Sequence, residues 1–491
     1  MKLSTLTSRL RGEHGRFAGD IGFKLLTEIC NAVFGLLTFA IMARLLVEKE
    51  DYAVVNQMIA ISSLLSPILL VKMNDAFCVF LAGETDRERM KSRYFSVLLL
   101  CLPVCLTLCA LTLLLNRGLS ALLFDSESYA GLMPLMALYF VVLALSLLNQ
   151  SLYQSTEHQK KSNVFIILRC VLTTLSFFLL QLMPQMVSLH NVLRLYLLVE
   201  SVICLSSFLC IIWDFHGIRL RLHFAPLQEY YRYALPLMPY VVMNWVNNSI
   251  GRFMINHLKN MEDAATYGFY ASLISRAFFV NAVLVYTIFP YVAKFWNQGN
   301  KEQVSRYLQK AFHFGVEFGL PATIGLCVTG PTLIRLMSGN NFDYAPTMML
   351  WLCLGSLFQM LNVNFSYLID LSRRTGLYNI ILLIVSLLNV GLNLLLIPRL
   401  GVEGAAVALM LAYLTQLALT AWIGMRSAGL RVIPHPWQIG KALLASAALY
   451  AACRLVYADT LPRFALTVCV GVAVYGGFLF ALSKVTKTPL L

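Results

Sequence analysis

Apolar runs of 19 to 28 residues alternate with short polar turns along the whole chain. They fall at 22–46, 52–71, 94–115, 131–154, 164–184, 191–213, 233–256, 266–293, 312–336, 345–369, 376–397, 402–424, 439–457 and 463–483. About twenty apolar residues in helical form cross the hydrocarbon core of a bilayer, so each run predicts a transmembrane helix. The intervening loops are too short for a soluble domain. The clearest case is the stretch from Arg373 to Leu411. A basic pair opens it, the 23 residues from Thr375 to Ile397 carry no charge, and Pro398, Gly401 and Gly404 mark a tight return into the next run. That pattern predicts a transmembrane hairpin. Asn389 and Asn393 are four apart and share one helix face, which must meet a neighbouring helix or a wet cavity. Ala405 and Ala406 permit close packing of the returning helix.

Composition agrees: 59% of the 491 residues are hydrophobic and 13% charged, and the mean hydropathy is +0.72. A soluble domain would have about a quarter of its residues charged. The chain is therefore read as an all-α polytopic membrane protein with 14 transmembrane helices. Its net charge of +14 is assigned to loops on one side of the membrane, not to nucleic acid. With an N-terminus inside, 26 of the 38 Lys and Arg residues fall in cytoplasmic segments and 7 on the opposite side. Both termini are thus expected in the cytoplasm. The twelve cysteines lack any CxxC pair, and Cys101, Cys105 and Cys109 form a helical stripe, which fits packing and not a metal. Lys2, Arg9, Arg11 and Arg16 among Leu3, Leu6, Leu10 and Phe17 suit an amphipathic helix at the membrane surface.

An internal repeat sets the domain organisation. Glu50-Asp51-Tyr52-Ala53 parallels Ala265-Thr266-Tyr267-Gly268 at an offset of 215, Lys160-Lys161 parallels Arg373-Arg374 at 213, and Pro184 parallels Pro398 at 214. The expected architecture is two pseudo-symmetric six-helix bundles, 22–213 and 233–424. A cytoplasmic N-terminal segment 1–21, a linker 214–232, and an extra helix pair with tail at 425–491 complete it. Parallel halves of this kind enclose a central site.

The hairpin pattern N-x3-N-x4-P-x2-G-x2-GAA, with RYALPLMP, NWVNNSIGR, TYGFYASLISRAF and IFPYV between Arg232 and Val292, resembles the polysaccharide transporters of the multidrug/oligosaccharidyl-lipid/polysaccharide (MOP) superfamily. The Wzx-type flippases of lipid-linked oligosaccharides are the particular likeness. One departure stands out: many relatives have an acidic residue before the arginine, where this chain has Gly251 before Arg252. The extra helix pair resembles that of lipid II flippases. The resemblance implies a flippase, not an enzyme, working by alternating access in the bacterial inner membrane. Its implied cargo is an undecaprenyl-diphosphate-linked oligosaccharide for O-antigen, capsule or exopolysaccharide. It implies a monomer without cofactor, driven by an ion gradient (H+ or Na+) or by product consumption, with a polymerase and a chain-length regulator as partners.

Charges within the runs cost about 2.5 to 3.5 kcal/mol each at a helix centre, so they are the first candidates for function. The set taken as buried within the spans is Glu28, Arg169, Arg194, Glu200, Arg252, Arg276, Glu317 and Arg335. Arg194 and Arg335 are near span ends and can snorkel. Arg276, Arg252 and Arg169 are the candidate diphosphate ligands, since a guanidinium matches phosphate oxygens. The competing reading pairs each arginine with a buried carboxylate such as Glu28, Glu200 or Glu317. Glu28 is a candidate ion-coupling residue, or simply the i,i+4 partner of Lys24. Asn31, Asn247, Asn248 and Asn389 are candidates to line the cavity, with interhelical hydrogen bonding as the alternative. Lys72 with Asp75, and Asp370 with Arg373, are candidate gate pairs. Three other functions compete: a lipid II flippase, although the arginine cluster of those proteins is absent from the first span; a cation-coupled drug antiporter, which would need a carboxylate-rich cavity; and a membrane-embedded glycosyltransferase or polymerase, which would need larger loops. The chain has no P-loop for ATP.

Overall fold

A computed structural model describes residues 3–82, 84–156, 159–224, 227–278, 280–457 and 460–486, with side chains omitted at 3–21, 280–287 and 485–486. In chain order the helices are α1 (Leu3–Leu45), α2 (Lys49–Leu69), α3 (Met73–Phe80), α4 (Arg87–Leu114), α5 (Asn116–Phe124) and α6 (Met133–Ser155). Next come α7 (Gln159–Gln181), α8 (Leu189–Asp214), α9 (Leu227–Ala234), α10 (Met238–Leu258), α11 (Met261–Ala277) and α12 (Val280–Asn297). The last six are α13 (Lys301–Ser338), α14 (Pro346–Leu371), α15 (Thr375–Leu400), α16 (Val402–Ala428), α17 (Pro436–Val456) and α18 (Leu461–Thr486). Strands are absent among the described residues. Twelve helical segments there are long and apolar enough to cross a membrane. The remaining two expected spans coincide with α10 and with the α11–α12 pair.

Local sequence sets many of the ends. Asp86 caps α4 by accepting from the backbone N–H groups of Glu88 and Arg89, and Asn260 caps α11 by accepting from Asp263 at 2.7 Å. Pro346 and Pro436 stand in the first turns of α14 and α17, where a missing N–H costs nothing. The α15–α16 hairpin forms as its sequence predicts, with one adjustment. Pro398 does not stop α15; the helix runs on to Leu400 and ends at Gly401, whose φ of 63° suits glycine. Gly404 then packs so tightly that an added Cβ would strike the Leu396 carbonyl. Asn389 and Asn393 are each 1% exposed, and Ala405 and Ala406 are fully buried.

Two expectations change. The run 266–293 is not one helix: it breaks after Ala277, where α11 ends, and resumes at Val280. The expected surface segment 1–21 is, in backbone from Leu3 on, continuous with the first span, while its side chains lie outside the described residues.

The contacts divide the chain into two compact units, residues 1–46 with 54–245 and residues 47–53 with 246–491. In the first, α1 lies on α7 and α6 lies on α8. Tyr94 donates to Asn149 Oδ1 at 2.6 Å, and Asn149 donates onward to Ser207 Oγ at 2.9 Å. In the second, α14 packs mainly on α16, which also packs on α15, and α13 carries α17 and α18 on its flank. Apolar side chains such as Leu387, Leu394, Trp422, Leu455 and Val472 remain exposed, as lipid-facing positions should.

Candidate functional site: a neutral, polar cavity with one guanidinium

The second unit encloses a cavity of about 370 Å3 walled by α10, α11, α14 and α16. Its polar lining includes Asn248 and Arg252 from α10, Ser272 and Ser275 from α11, Gln359 from α14 and Tyr413 from α16. Among the described lining residues, Arg252 is the one charged side chain and no carboxylate is present. The Tyr413 hydroxyl donates to Asn248 Oδ1 at 2.7 Å, which fixes the amide at the wall. Gln359 Oε1 is buried with no hydrogen-bond partner among the described residues. A buried acceptor left open costs about 1 to 3 kcal/mol, so this wall is prepared to receive a donor.

The glycine before Arg252 has a structural reason. An added Cβ at Gly251 would lie 3.1 Å from the hydroxyl of Tyr267, which is itself buried. Tyr267 occupies the space that a larger residue would need. It and Arg276 both lie within electrostatic reach of Arg252. Arg276, in the last turn of α11, donates to the Ser272 carbonyl at 3.0 Å, and Ser272 lines the cavity. Two arginines of this unit thus lie near one cavity, Arg252 in its wall and Arg276 at the adjoining helix end.

The other sequence candidates divide. Asn247 is 2% exposed, and neither side-chain polar atom has a hydrogen-bond partner among the described residues. Its carbonyl accepts from Asn389 Nδ2 at 3.2 Å, and Asn393 Nδ2 donates to Asn389 Oδ1 at 2.8 Å, so the hairpin face binds α10. Arg169 belongs to the first unit and pairs with Glu200 at 2.9 Å while donating to Ser146 Oγ at 3.0 Å. Asn31 is exposed and accepts from the Cys170 thiol at 3.3 Å. Glu28 pairs with Lys24 at 2.9 Å.

Lys72 and Asp75 pair at 2.7 Å, with Lys72 in left-handed backbone (φ 58°) at the α2–α3 corner. Asp370 and Arg373 are linked instead through the backbone. Arg373 N donates to Asp370 O at 2.9 Å in the turn after α14, and Arg373 is left-handed (φ 55°). A second cavity of about 330 Å3 in the first unit is braced around Asp214. Lys161 reaches both carboxylate oxygens at 2.7 Å, Tyr153 donates at 3.1 Å, and Arg87 donates to the Asp214 carbonyl. Among the described residues no three His, Cys, Asp or Glu side chains are grouped to hold a metal. Sequence reasoning missed Tyr413 and Gln359, which reach the cavity from helices more than a hundred residues beyond Asn248; no local spacing announces them.

Fold and composition together define an all-helical polytopic membrane protein. Residues 41–346 match the family described as polysaccharide biosynthesis protein, and the chain belongs to that family. A solved structure of the lipid II flippase MurJ in an inward closed conformation superposes with a TM-score of 0.74 at 16% identity, covering 94% of this chain and all of that one. An inward-facing multidrug resistance MATE family transporter of the MOP superfamily gives a TM-score of 0.60 at 11% identity, covering 83% and 98%. By sequence the chain is 25% identical over 135 residues to a probable low-salt glycan biosynthesis flippase, Agl15, of Haloferax volcanii, covering 28% of this chain and 29% of that protein. It is 27% identical over 147 residues to an uncharacterized membrane protein of Methanocaldococcus jannaschii, covering 30% and 28%. The matched stretches span less than a third of either relative.

Proposed function

We propose that this protein is a flippase, a transporter and not an enzyme, that moves lipid-linked oligosaccharide repeat units across a bacterial inner membrane by alternating access. The observation that carries the reading is the cavity lining: one guanidinium among neutral hydroxyl, amide and phenol groups, without a carboxylate among the described residues. A guanidinium suits a diphosphate, and neutral donors and acceptors suit sugar hydroxyls. In this reading Arg252 and Arg276 hold the undecaprenyl-linked diphosphate, while Asn248, Gln359 and Tyr413 meet the glycan. The polysaccharide biosynthesis family and the likeness to Agl15 support the same cargo class. Arg169 keeps its place as a diphosphate ligand only if cargo displaces Glu200.

The same proposal takes α10 and the α11–α12 pair as the seventh and eighth of fourteen spans and places both termini in the cytoplasm, a sidedness that the distribution of Lys and Arg supports. The cycle is driven by H+ or Na+, with Glu28 as the candidate coupling residue, and the product passes to a polymerase and chain-length regulator for O-antigen, capsule or exopolysaccharide. A drug antiporter for organic cations is disfavoured by a cavity whose described charge is positive.

The test is the lipid-linked glycan pool of a host lacking the protein, complemented with wild type, Arg252→Ala or Arg276→Ala at matched expression. Trapped undecaprenyl-linked repeat units in the inner leaflet, released by wild type but not by Arg252→Ala, support the proposal. Trapped lipid II would move the assignment to peptidoglycan precursors. Sensitivity to organic cations with no trapped lipid would replace it by the antiporter.

A further inference from the structure

In both units a strap of non-helical chain runs along one long helix, and side chains of that helix hold the strap by its backbone. In the first unit the strap is the segment 215–224 that follows α8, and the helix is α4. Arg87 donates to the carbonyl of Asp214, where the strap begins. Lys91 Nζ donates to the carbonyls of Phe215 at 3.2 Å and Ile218 at 2.7 Å, and Ser92 Oγ donates to that of Arg221. The last tie is reversed, since the His223 N–H donates to Ser96 Oγ at 3.1 Å. Glu88 adds an ion pair to the Arg221 side chain at 3.5 Å.

In the second unit the strap is the segment 429–435 between α16 and α17, and the helix is α13. Lys301 Nζ donates to the Gly429 carbonyl at 3.5 Å, Ser305 Oγ to that of Arg431 at 2.7 Å, and Gln309 Nε2 to that of Ile433 at 3.1 Å. Here too the last tie is reversed, with the His435 N–H donating to His313 Nε2 at 3.1 Å. The α13 residues of these ties recur every fourth position, about one helical turn apart. Val432, between two tied carbonyls, is 2% exposed and packs in the apolar core with Val304 and Leu308 of α13 and Phe365 and Leu368 of α14.

Two straps of unlike sequence thus share one plan. Ser92 and Ser305 are 213 apart, the offset that relates Lys160 to Arg373. Each gives its hydroxyl to the carbonyl of an arginine, and a histidine N–H closes each strap. The helix contacts follow the same order: α4 and α8 both pack on α6, and α13 and α16 both pack on α14. Backbone outside a helix has to find its hydrogen-bond partners elsewhere, and at a membrane boundary protein groups are the dependable source. α4 and α13 supply them in sequence.

We propose that the straps are a duplicated clamp, which fixes α8 to α4 around α6 in one unit and α16 to α13 around α14 in the other, so that each trio behaves as one rigid body. The clamp grips backbone, which leaves the strap side chains free to vary; Arg219, Leu220, Leu222 and Ile433 are all exposed. One consequence rests on the flippase reading: during alternating access each trio moves as a block.

The experiment is timed trypsin digestion of the full-length protein in detergent, with cleavage after Arg219, Arg221 and Arg431 followed by mass spectrometry. These three side chains are exposed, so cutting is limited by release of the backbone from the helix. Ser92→Ala/Ser96→Ala should speed cleavage at Arg219 and Arg221 about tenfold while Arg431 keeps its wild-type rate, and Ser305→Ala/Gln309→Ala should do the reverse. Unchanged rates in the variants, or equal acceleration of all three sites by either pair, would overturn the proposal. If a double variant does not fold, Ser96→Ala alone and Gln309→Ala alone, each removing one tie, supply the comparison. Cargo does not enter the readout, so its failure is separate from failure of the flippase reading.

Discussion

Arg169 and Glu200 meet at 2.9 Å between α7 and α8, with the Glu200 side chain 4% exposed. Two charges that would each be costly in the bilayer are bound to one another. Removing one partner strands the other, which costs about 3 to 5 kcal/mol for a buried pair. Arg169→Met should therefore lower the unfolding midpoint of the purified protein markedly, and Arg169→Met/Glu200→Met should recover most of the loss. A double variant no more stable than the single one would mean that the pair contributes nothing through its charge.

At the hairpin turn, Gly404→Ala places a methyl group against the Leu396 carbonyl. Overpacking of this kind costs about 1 to 3 kcal/mol. Reduced yield of folded protein in fluorescence-detected size exclusion, with Gly376→Ala as a control in open space, would bear this out. Equal yields would show that the turn relaxes freely.

Tyr413→Phe deletes the hydroxyl that holds Asn248 at the cavity wall. A net loss of about 1 kcal/mol is expected for a neutral hydrogen bond, too little to unfold the protein. If Asn248 meets cargo, glycan delivery in the complemented host should fall while expression stays at the wild-type level. Unchanged delivery would remove Asn248 from the site.

Arg252→Lys keeps the charge but loses the planar fork that binds phosphate at two points. In the flippase reading it should be nearly as defective as Arg252→Ala when lipid-linked intermediates are quantified. Full activity of the lysine variant would show that a point charge at this depth is sufficient.

The sequence made some of these features readable and hid others for physical reasons. Long apolar runs announce membrane helices because the bilayer demands them, and the i,i+4 spacing of Asn389 and Asn393 announced a polar face that the structure buries against α10. The break after Ala277 follows Ser275 and Arg276 but has no glycine or proline beside it, so no helix-breaking residue marks it in the sequence. The glycine at position 251 is visible in the sequence, but the Tyr267 ring that crowds the place of its missing Cβ belongs to the fold. Tyr413 and Gln359 become site residues only when α14 and α16 are brought to α10, and no local pattern encodes that meeting.

The closed return at Gly404 also bears on how the chain is made. Ala412, Ile381 and Val385 pack with Ile369 of the preceding helix, so α14, α15 and the first half of α16 satisfy one another within a short length of sequence. Domains assemble from the N-terminal side as synthesis proceeds, and Asn389 reaches the Asn247 carbonyl of α10, which is made first. The hairpin therefore enters the bilayer with a partner for its buried asparagine already in place, and the second half of α16, where Gly424 packs against the Phe365 carbonyl, closes onto α14 last.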